Sequence, residues 1–433
     1  MHASRITLVT KTRTQNQGNQ ALSIAWRDYL QRRFPASHLT LLDRGPRFLK
    51  RYRVSDLARE RDPVAAFDRI ARDLSAKASG AADSDPAEWE VLHEPRLKQA
   101  VRFLWLRRAL RVRSRIAALS VGRDEYFGRL AYLQGADLVV VNPAGEFYTD
   151  AQDTALHYLI ETRCAQLAGC RTAFVNLSFE VTDPLLIRLS DHVFAHCDVL
   201  EFRDQESVAH FTNHGGRKTP IVVPDAALLS SIERPTPAGG RGLGLAINAL
   251  QVASFGLQDA WDALVAELAR QGPITLTSNE WTTDFPFWKR YLARAGVTCD
   301  GQHLAYADYA RFLAQFDVLV SSRLHTCILG LVAGAAVVPV ETGTFKLTGF
   351  FNQIGMPDEP IRVGQHAWQT KLLQRIEAVR ADGRSRRELQ DKHVMAAKNT
   401  MRSELDGVFL PSLVRGRVEP PAAWGPAEAR RVG

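Results

Sequence analysis

Val318-Leu319-Val320-Ser321-Ser322-Arg323-Leu324-His325-Thr326 is an apolar run that breaks into two serines and then into a basic stretch. The apolar residues suit a strand buried on both faces, as in the middle of a parallel sheet. The letters that follow predict a helix over residues 324–333. A strand that passes straight into a helix puts residues 321–325 at the carboxyl edge of the sheet, where open α/β folds hold ligands. Ser321 and Ser322 suit a helix N-cap, which leaves Arg323 and His325 in the first turn. Free N–H groups and the helix dipole favour an anion there, and a cation is unfavourable in a first turn unless an anion compensates it. The segment therefore reads as an anion-binding feature, with Arg323 offering a charge-assisted fork. A surface arginine beside a half-buried histidine fits the same letters.

The same rhythm extends in both directions. A strand over residues 336–340 runs into Glu341-Thr342-Gly343-Thr344-Phe345-Lys346, which brings Lys346 to the same edge, as a ligand group or as a solvated lysine. Upstream, strands at 243–248 and 274–278 and helices at 258–270, 287–295 and 307–315 complete one α/β series. Residues 233–240, rich in proline and glycine, read as a linker. Ahead of it, strands at 6–10, 39–42, 136–141, 172–177, 199–202 and 220–223 alternate with helices at 21–33, 153–168 and 205–214. The fold class is α/β, with two Rossmann-like domains at residues 1–235 and 241–365. Helices over 366–412 follow, and the composition of the tail at 413–433 predicts disorder. The alternation lapses at residues 44–128, an arginine-rich helical insertion in the first domain. Within it, residues 101–113 mix basic and apolar letters, as a helix lying on an anionic membrane does and as a packed helix with a solvated arginine face also does.

Strand ends of the first domain carry further candidates. Arg203 follows the strand at 199–202, and Glu146 and Asp150 lie in the segment after residue 141. Asp225 follows the strand at 220–223, and Asn16 and Asn19 lie in the loop after the first strand. These carboxylates are also the kind that merely tie down loops.

Bulk composition narrows the function. The chain has 433 residues, a formal charge of +8 and 45% hydrophobic residues, the make-up of a soluble globular protein. No apolar run approaches the ~18 residues of a membrane span, and the N-terminus reads as mature sequence. Five cysteines without a CxxC spacing argue against a disulfide framework or zinc site and for a reducing cytoplasm. The positive charge suits an anionic small substrate or lipid headgroups better than nucleic acid, because no nucleic-acid-binding signature is present. There is no P-loop, HExxH or GxSxG. Asp83-Ser84-Asp85 matches a metal-binding pattern by chance, so no metal is expected.

Taken in order, the segments 16–21, 142–150, 203–207, 225–227, 321–326 and 346–350 resemble the polysaccharide pyruvyl transferase family. Its pattern runs N-x-G-(D/N)-x-A, a Gly-rich strand end, R-(D/E)-x-x-S, D-x-A, S-x-R-L-H-(A/T) and K-x-x-G-(F/L). One feature departs from it: the usual Gly-Gly-Gly reads Pro143-Ala144-Gly145. The resemblance implies a GT-B-like fold and a phosphoenolpyruvate donor without an organic cofactor or metal. The acceptor would be a glycan or lipid-linked sugar, and the product a pyruvate ketal. It implies that Arg323, His325 and Lys346 bind the donor, with Ser321 and Ser322 beside them and Arg203 reaching from the facing domain. His325 doubles as acid, and Glu146, Asp150 and Asp225, with Asn16 and Asn19, serve the acceptor or act as base. A cytoplasmic enzyme in peripheral contact with the inner face of the membrane fits this reading. A GT-B glycosyltransferase using a nucleotide sugar and a non-catalytic glycan-assembly protein remain as alternatives.

Overall fold

The computed structural model describes residues 5–12, 14–44, 47–79, 123–148, 151–234 and 240–411. Asp150, the segment 101–113 and the tail at 413–433 lie outside them.

Two six-stranded sheets, all parallel, form the frame. The first is built from β1 (Arg5–Thr10), β2 (His38–Asp43), β3 (Leu138–Val141), β5 (Arg171–Leu177), β7 (Val199–Phe202) and β8 (Ile221–Val222), in the order β2-β1-β3-β5-β7-β8. The second is built from β9 (Leu243–Ala246), β10 (Ile274–Leu276), β11 (Val297–Cys299), β12 (Val318–Ser321), β13 (Val337–Glu341) and β14 (Ile361–Arg362), in the order β11-β10-β9-β12-β13-β14. Between β3 and β7 a two-residue parallel ribbon pairs β4 (Phe147–Tyr148) with β6 (Phe179–Glu180). Each six-stranded sheet reverses its strand order beside its first strand, and such reversals open crevices at carboxyl ends.

All four residues of β3 and of β12 are buried, which is why their letters run apolar without alternation. Three apolar clusters result. One lies within each domain, and a third runs between them, joining the helix Gln17–Arg33 to the helices Tyr306–Leu313 and Leu324–Ala333. The C-terminal helix Gly383–Glu404 packs on Leu324–Ala333, and the chain then returns to the first domain. There Phe409 lies 5.5 Å from the ring of Trp26, and Asp406 pairs with Arg33.

Local chemistry explains most helix ends. Asp183 and Asp204 cap the helices Pro184–Ala195 and Gln205–Asn213, accepting from Leu186 and Ser207 N–H groups. Gly334, at φ 86°, closes Leu324–Ala333 with a left-handed residue. The helix expected at 21–33 begins four residues earlier, because Asn16 accepts from the Asn19 N–H and starts it. The helix expected at 287–295 is instead Trp281–Trp288. Part of the stretch expected as insertion is ordered helix: Pro63–Ala78 packs against Gln152–Leu167 of the first domain.

All five cysteines are unpaired. Burial pushes the thiols of Cys170, Cys197, Cys299 and Cys327 up to about 12. No helix among the described residues is long and apolar enough to cross a membrane.

Candidate active site between the two sheets

The helix Leu324–Ala333 points its first turn at the first domain. His325 packs against Gly18 so closely that a Cβ added there would lie 2.2 Å from the imidazole Cγ. Its Nε2 faces Asp225 at 3.6 Å, a charge contact longer than a hydrogen bond, and has no hydrogen-bond partner.

Asp225 is fully buried at the end of the first sheet. It accepts from the Ala227 N–H at 2.9 Å and from Arg203 Nη1 at 2.9 Å, with Asn176 Nδ2 at 3.5 Å. Burial pushes its carboxyl up, but His325, Arg203 and the Ala227 N–H reverse this and hold it well below the usual carboxylate range. Behind it, Asn176 accepts from the Ala226 N–H and donates its own N–H to Glu201. Glu201 is wholly buried, and its carboxyl is pushed far up by that burial.

Arg203 is 3% exposed, and its guanidinium donates through Nη1 to Asp225. Its Nε is buried without a hydrogen-bond acceptor, and the Asp204 carboxylate lies 3.9 Å from it. Buried guanidinium N–H groups are costly to leave without a hydrogen bond, so Arg203 keeps a donor that a closer acceptor would satisfy. A Cβ built on Gly145 would sit 3.9 Å from Arg203 Nη2 and 3.5 Å from Lys346 Nζ. Two cations from opposite domains thus converge on one backbone glycine. Lys346 opens the helix Lys346–Gln353, whose N-terminus is held by Glu341 through the Leu347 and Thr348 N–H groups, each at 2.9 Å. The ammonium pairs with Glu180 at 3.2 Å and lies 5.1 Å from the centre of the Tyr148 ring.

Several expectations need correction. Arg323 is itself the N-cap residue, in extended conformation, and the serines do not cap the helix. Ser321 bonds the backbone of Arg323, and Ser322 bonds the backbone of Asn248 and Ala246 across to β9. Buried and so engaged, neither hydroxyl is available to a substrate. The fork of Arg323 is spent on Asp284, through Nε at 2.9 Å and through Nη2. Asp284 is fully buried and also accepts from Ser278 and the Ala249 N–H. Burial pushes its carboxyl up despite these partners. Arg323 and His325, two residues apart, therefore serve different neighbours, because extended backbone at the cap sends their side chains apart.

Asn16 is committed too: it accepts from Asn279 Nδ2 at 3.1 Å and donates to Glu280, both of the second domain. Gln17 and Gln20 extend this seam to the Leu304 carbonyl and the Tyr306 N–H. Asn19 is buried beside it. Glu146 lies between Lys11 at 2.9 Å and Arg44. Those cations overcome burial and lower its pKa, which weakens it as a base. The structure therefore assembles His325, Asp225, Arg203 and Lys346, and draws in Gly18, Gly145, Tyr148 and Glu180. Gly18 carries a signal in the N-x-G-N letters, whereas Glu180 and Asp284 have none, because nothing in sequence ties them to their partners. Among the described residues no group of three or more metal-ligating side chains occurs.

By sequence, residues 16–344 match the polysaccharide pyruvyl transferase family. No curated protein matches. Among solved structures, the chain is similar to MnaA of S. aureus, determined with UDP, at 9% identity, with 98% of this chain and 100% of that one covered and a TM-score of 0.51. It is similar also to the UDP-GlcNAc 2-epimerase of Neisseria meningitidis, bound to UDP-GlcNAc, at 9% identity, covering 93% and 100%, with a TM-score of 0.50. These likenesses show the fold, a pair of Rossmann-like domains of the GT-B kind.

Proposed function

Since the chain belongs to the polysaccharide pyruvyl transferase family and is a transferase, we propose that it moves the pyruvyl group of phosphoenolpyruvate onto a sugar of a cell-surface or exopolysaccharide glycan, forming a pyruvate ketal. The observation that carries this reading is the convergence of Arg203 and Lys346, from opposite domains, on Gly145. Phosphoenolpyruvate carries its phosphate and its carboxylate on one carbon, and two cations on opposite walls suit two such anionic groups. Glycine lets the donor approach the backbone between them.

His325 supplies the proton that the methylene carbon of the donor must gain. Asp225 faces its imidazole, and Gly18 fixes the ring plane. Protonation leaves an oxocarbenium-like carbon that an acceptor hydroxyl attacks. Phosphate departs, and the second hydroxyl closes the ring. The scheme uses no metal or organic cofactor. Arg323 acts from behind, holding through Asp284 the backbone from which His325 projects. The acceptor, glycan or lipid-linked, would be met at a cytoplasmic site, with the basic stretch at 101–113 offering contact with the membrane face.

Incubation with phosphoenolpyruvate and pyranosides bearing two nearby free hydroxyls, followed by phosphate release and product mass, tests the reading. Phosphate release with a ketal product is expected. Turnover of a UDP-sugar with no release from phosphoenolpyruvate would replace it with the nucleotide-sugar alternative. A retained fold that binds glycan and turns over neither donor would point to an assembly protein.

A further inference from the structure

We propose that Gly349 is a positioning residue that sets the distance between the two donor-binding cations, Arg203 and Lys346, a role that rests on the pyruvyl-transfer reading above. Each cation is placed by a helix end. Arg203 lies two residues before the helix Gln205–Asn213 of the first domain, and Lys346 opens the helix Lys346–Gln353 of the second. The two helices meet across the cleft. Asn352 Nδ2 donates to Glu206 Oε1 at 2.8 Å, and the rings of Phe345 and His210 lie 6.1 Å apart. Gly349 is buried at this contact, where an added Cβ would lie 2.9 Å from both Cβ and Cγ of Asp204 and 3.0 Å from Glu206 Oε2.

Both sides of the contact are tied down. Asp204 is 1% exposed and caps its helix through the Ser207 N–H at 2.7 Å. The Ser207 hydroxyl accepts from the Phe179 N–H at 3.0 Å, and His210 Nε2 lies 2.8 Å from the Val181 carbonyl, so that helix is fixed to the first domain at two points. Opposite, Glu341 holds the first turn of Lys346–Gln353 through the Leu347 and Thr348 N–H groups and the Thr348 hydroxyl. Glycine is a poor helix former, and here it gives one helix room to approach the other. Lys346 and Gly349 are three residues apart and so share a helix face. That approach brings the Lys346 ammonium to Gly145, beside Arg203.

A methyl carbon at residue 349 needs about 3.5 Å from Asp204 Cβ instead of 2.9 Å, so the helices must part by roughly 0.6 Å. Lys346 is carried back with its helix, and the span between the cations widens. A phosphate and a carboxylate on one carbon keep a fixed separation, so a wider span loosens the hold on one of them. The glycine thereby fits the clamp to a small donor with both anionic groups on the same carbon.

The test uses the full chain, with phosphoenolpyruvate binding measured by calorimetric titration and phosphate release measured with methyl hexopyranosides bearing free 4- and 6-hydroxyls. Gly349→Ala is expected to weaken donor binding about tenfold, as when one charge-assisted hydrogen bond is impaired, and Gly349→Val should weaken it further. KM for phosphoenolpyruvate should rise in step, with kcat within about threefold of wild type and KM for the pyranoside unchanged. A merely structural role would instead lower the unfolding temperature and kcat and leave the donor KM alone. Asp204→Gly removes both crowding carbons and leaves a residue tolerated as a cap. In that background Gly349→Ala should cost donor affinity about twofold or less. Should Gly349→Ala alone not fold, a folded pair that binds the donor as Asp204→Gly does supports the role, and a pair that does not bind it overturns the role. A wild-type protein that binds phosphoenolpyruvate, with Gly349→Ala binding it within about twofold or losing as much affinity in the Asp204→Gly background, would overturn the assignment alone. A wild-type protein that binds no phosphoenolpyruvate, or releases no phosphate from it with any pyranoside, would overturn the function and this role together.

Discussion

Replacing Gly18 by alanine would place a methyl carbon 2.2 Å from Cγ of His325 and 2.4 Å from its Cβ and Nδ1. Carbon atoms rest at about 3.5 Å or more, so the imidazole must retreat by roughly 1.3 Å or the helix Gln17–Arg33 must shift against the second domain. Crowding of this kind costs about 1–3 kcal/mol, and the better helix preference of alanine returns about 1 kcal/mol of it. The net change in stability is then about 0–2 kcal/mol. The chemical cost is larger, since a displacement near 1 Å at a reacting group costs on the order of 100-fold in rate, or about 2.7 kcal/mol of barrier. The assay is kcat/KM for phosphate release from phosphoenolpyruvate, set beside thermal unfolding of the same preparations. Gly18→Ala should lose rate far beyond what its loss of stability explains. A variant with wild-type rate and unchanged unfolding would refute the seating of His325 or its part in the chemistry.

Further outcomes are expected elsewhere. Lys346→Met should lose most of the phosphoenolpyruvate-induced thermal shift while unfolding near the wild-type temperature in the absence of ligand. Asp284→Ala strands the half-buried Arg323 guanidinium and should destabilise the fold by about 3–5 kcal/mol in denaturant unfolding. Asp225 has a depressed carboxyl, so its stabilising contribution is full above its unfolded value of about 3.9 and is lost as pH falls through the lower folded value. Unfolding of Asp225→Asn should accordingly depend less on pH below about 4 than wild type does. Ala144 holds φ 55° in the loop where the family has glycine. Ala144→Gly exchanges about 1–2 kcal/mol of left-handed strain for glycine's greater unfolded freedom, so calorimetry should show stability unchanged or slightly raised.

The sheets were legible because their strands are buried on both faces and so run as unbroken apolar letters, as at Leu138–Val141 and Val318–Val320. The β4–β6 ribbon was not, since two residues carry no periodicity. Strand-end positions for Arg203, His325, Lys346 and Asp225 followed from the α/β rhythm, because carboxyl edges are fixed by element order. Side-chain direction did not follow. One backbone residue in extended conformation at Arg323 sends its guanidinium into its own domain and leaves His325 to cross the cleft. Long-range partners such as Asp284 and Glu180 leave no trace in local spacing, and a serine cap was expected where Ser322 instead bridges β12 to β9 and Ser321 bonds the backbone of Arg323.

The seating of His325 also bears on how such proteins diversify. Its ring is shaped by Gly18 and faced by Asp225, both encoded in the other half of the gene, while Lys346 meets Glu180 in the same crosswise manner. A recombinant that joins this N-terminal half to the C-terminal half of a distant homologue would inherit two intact sheets and a mismatched seam. New acceptor preferences are therefore more accessible by substitutions along the rim of one parent than by shuffling halves between parents.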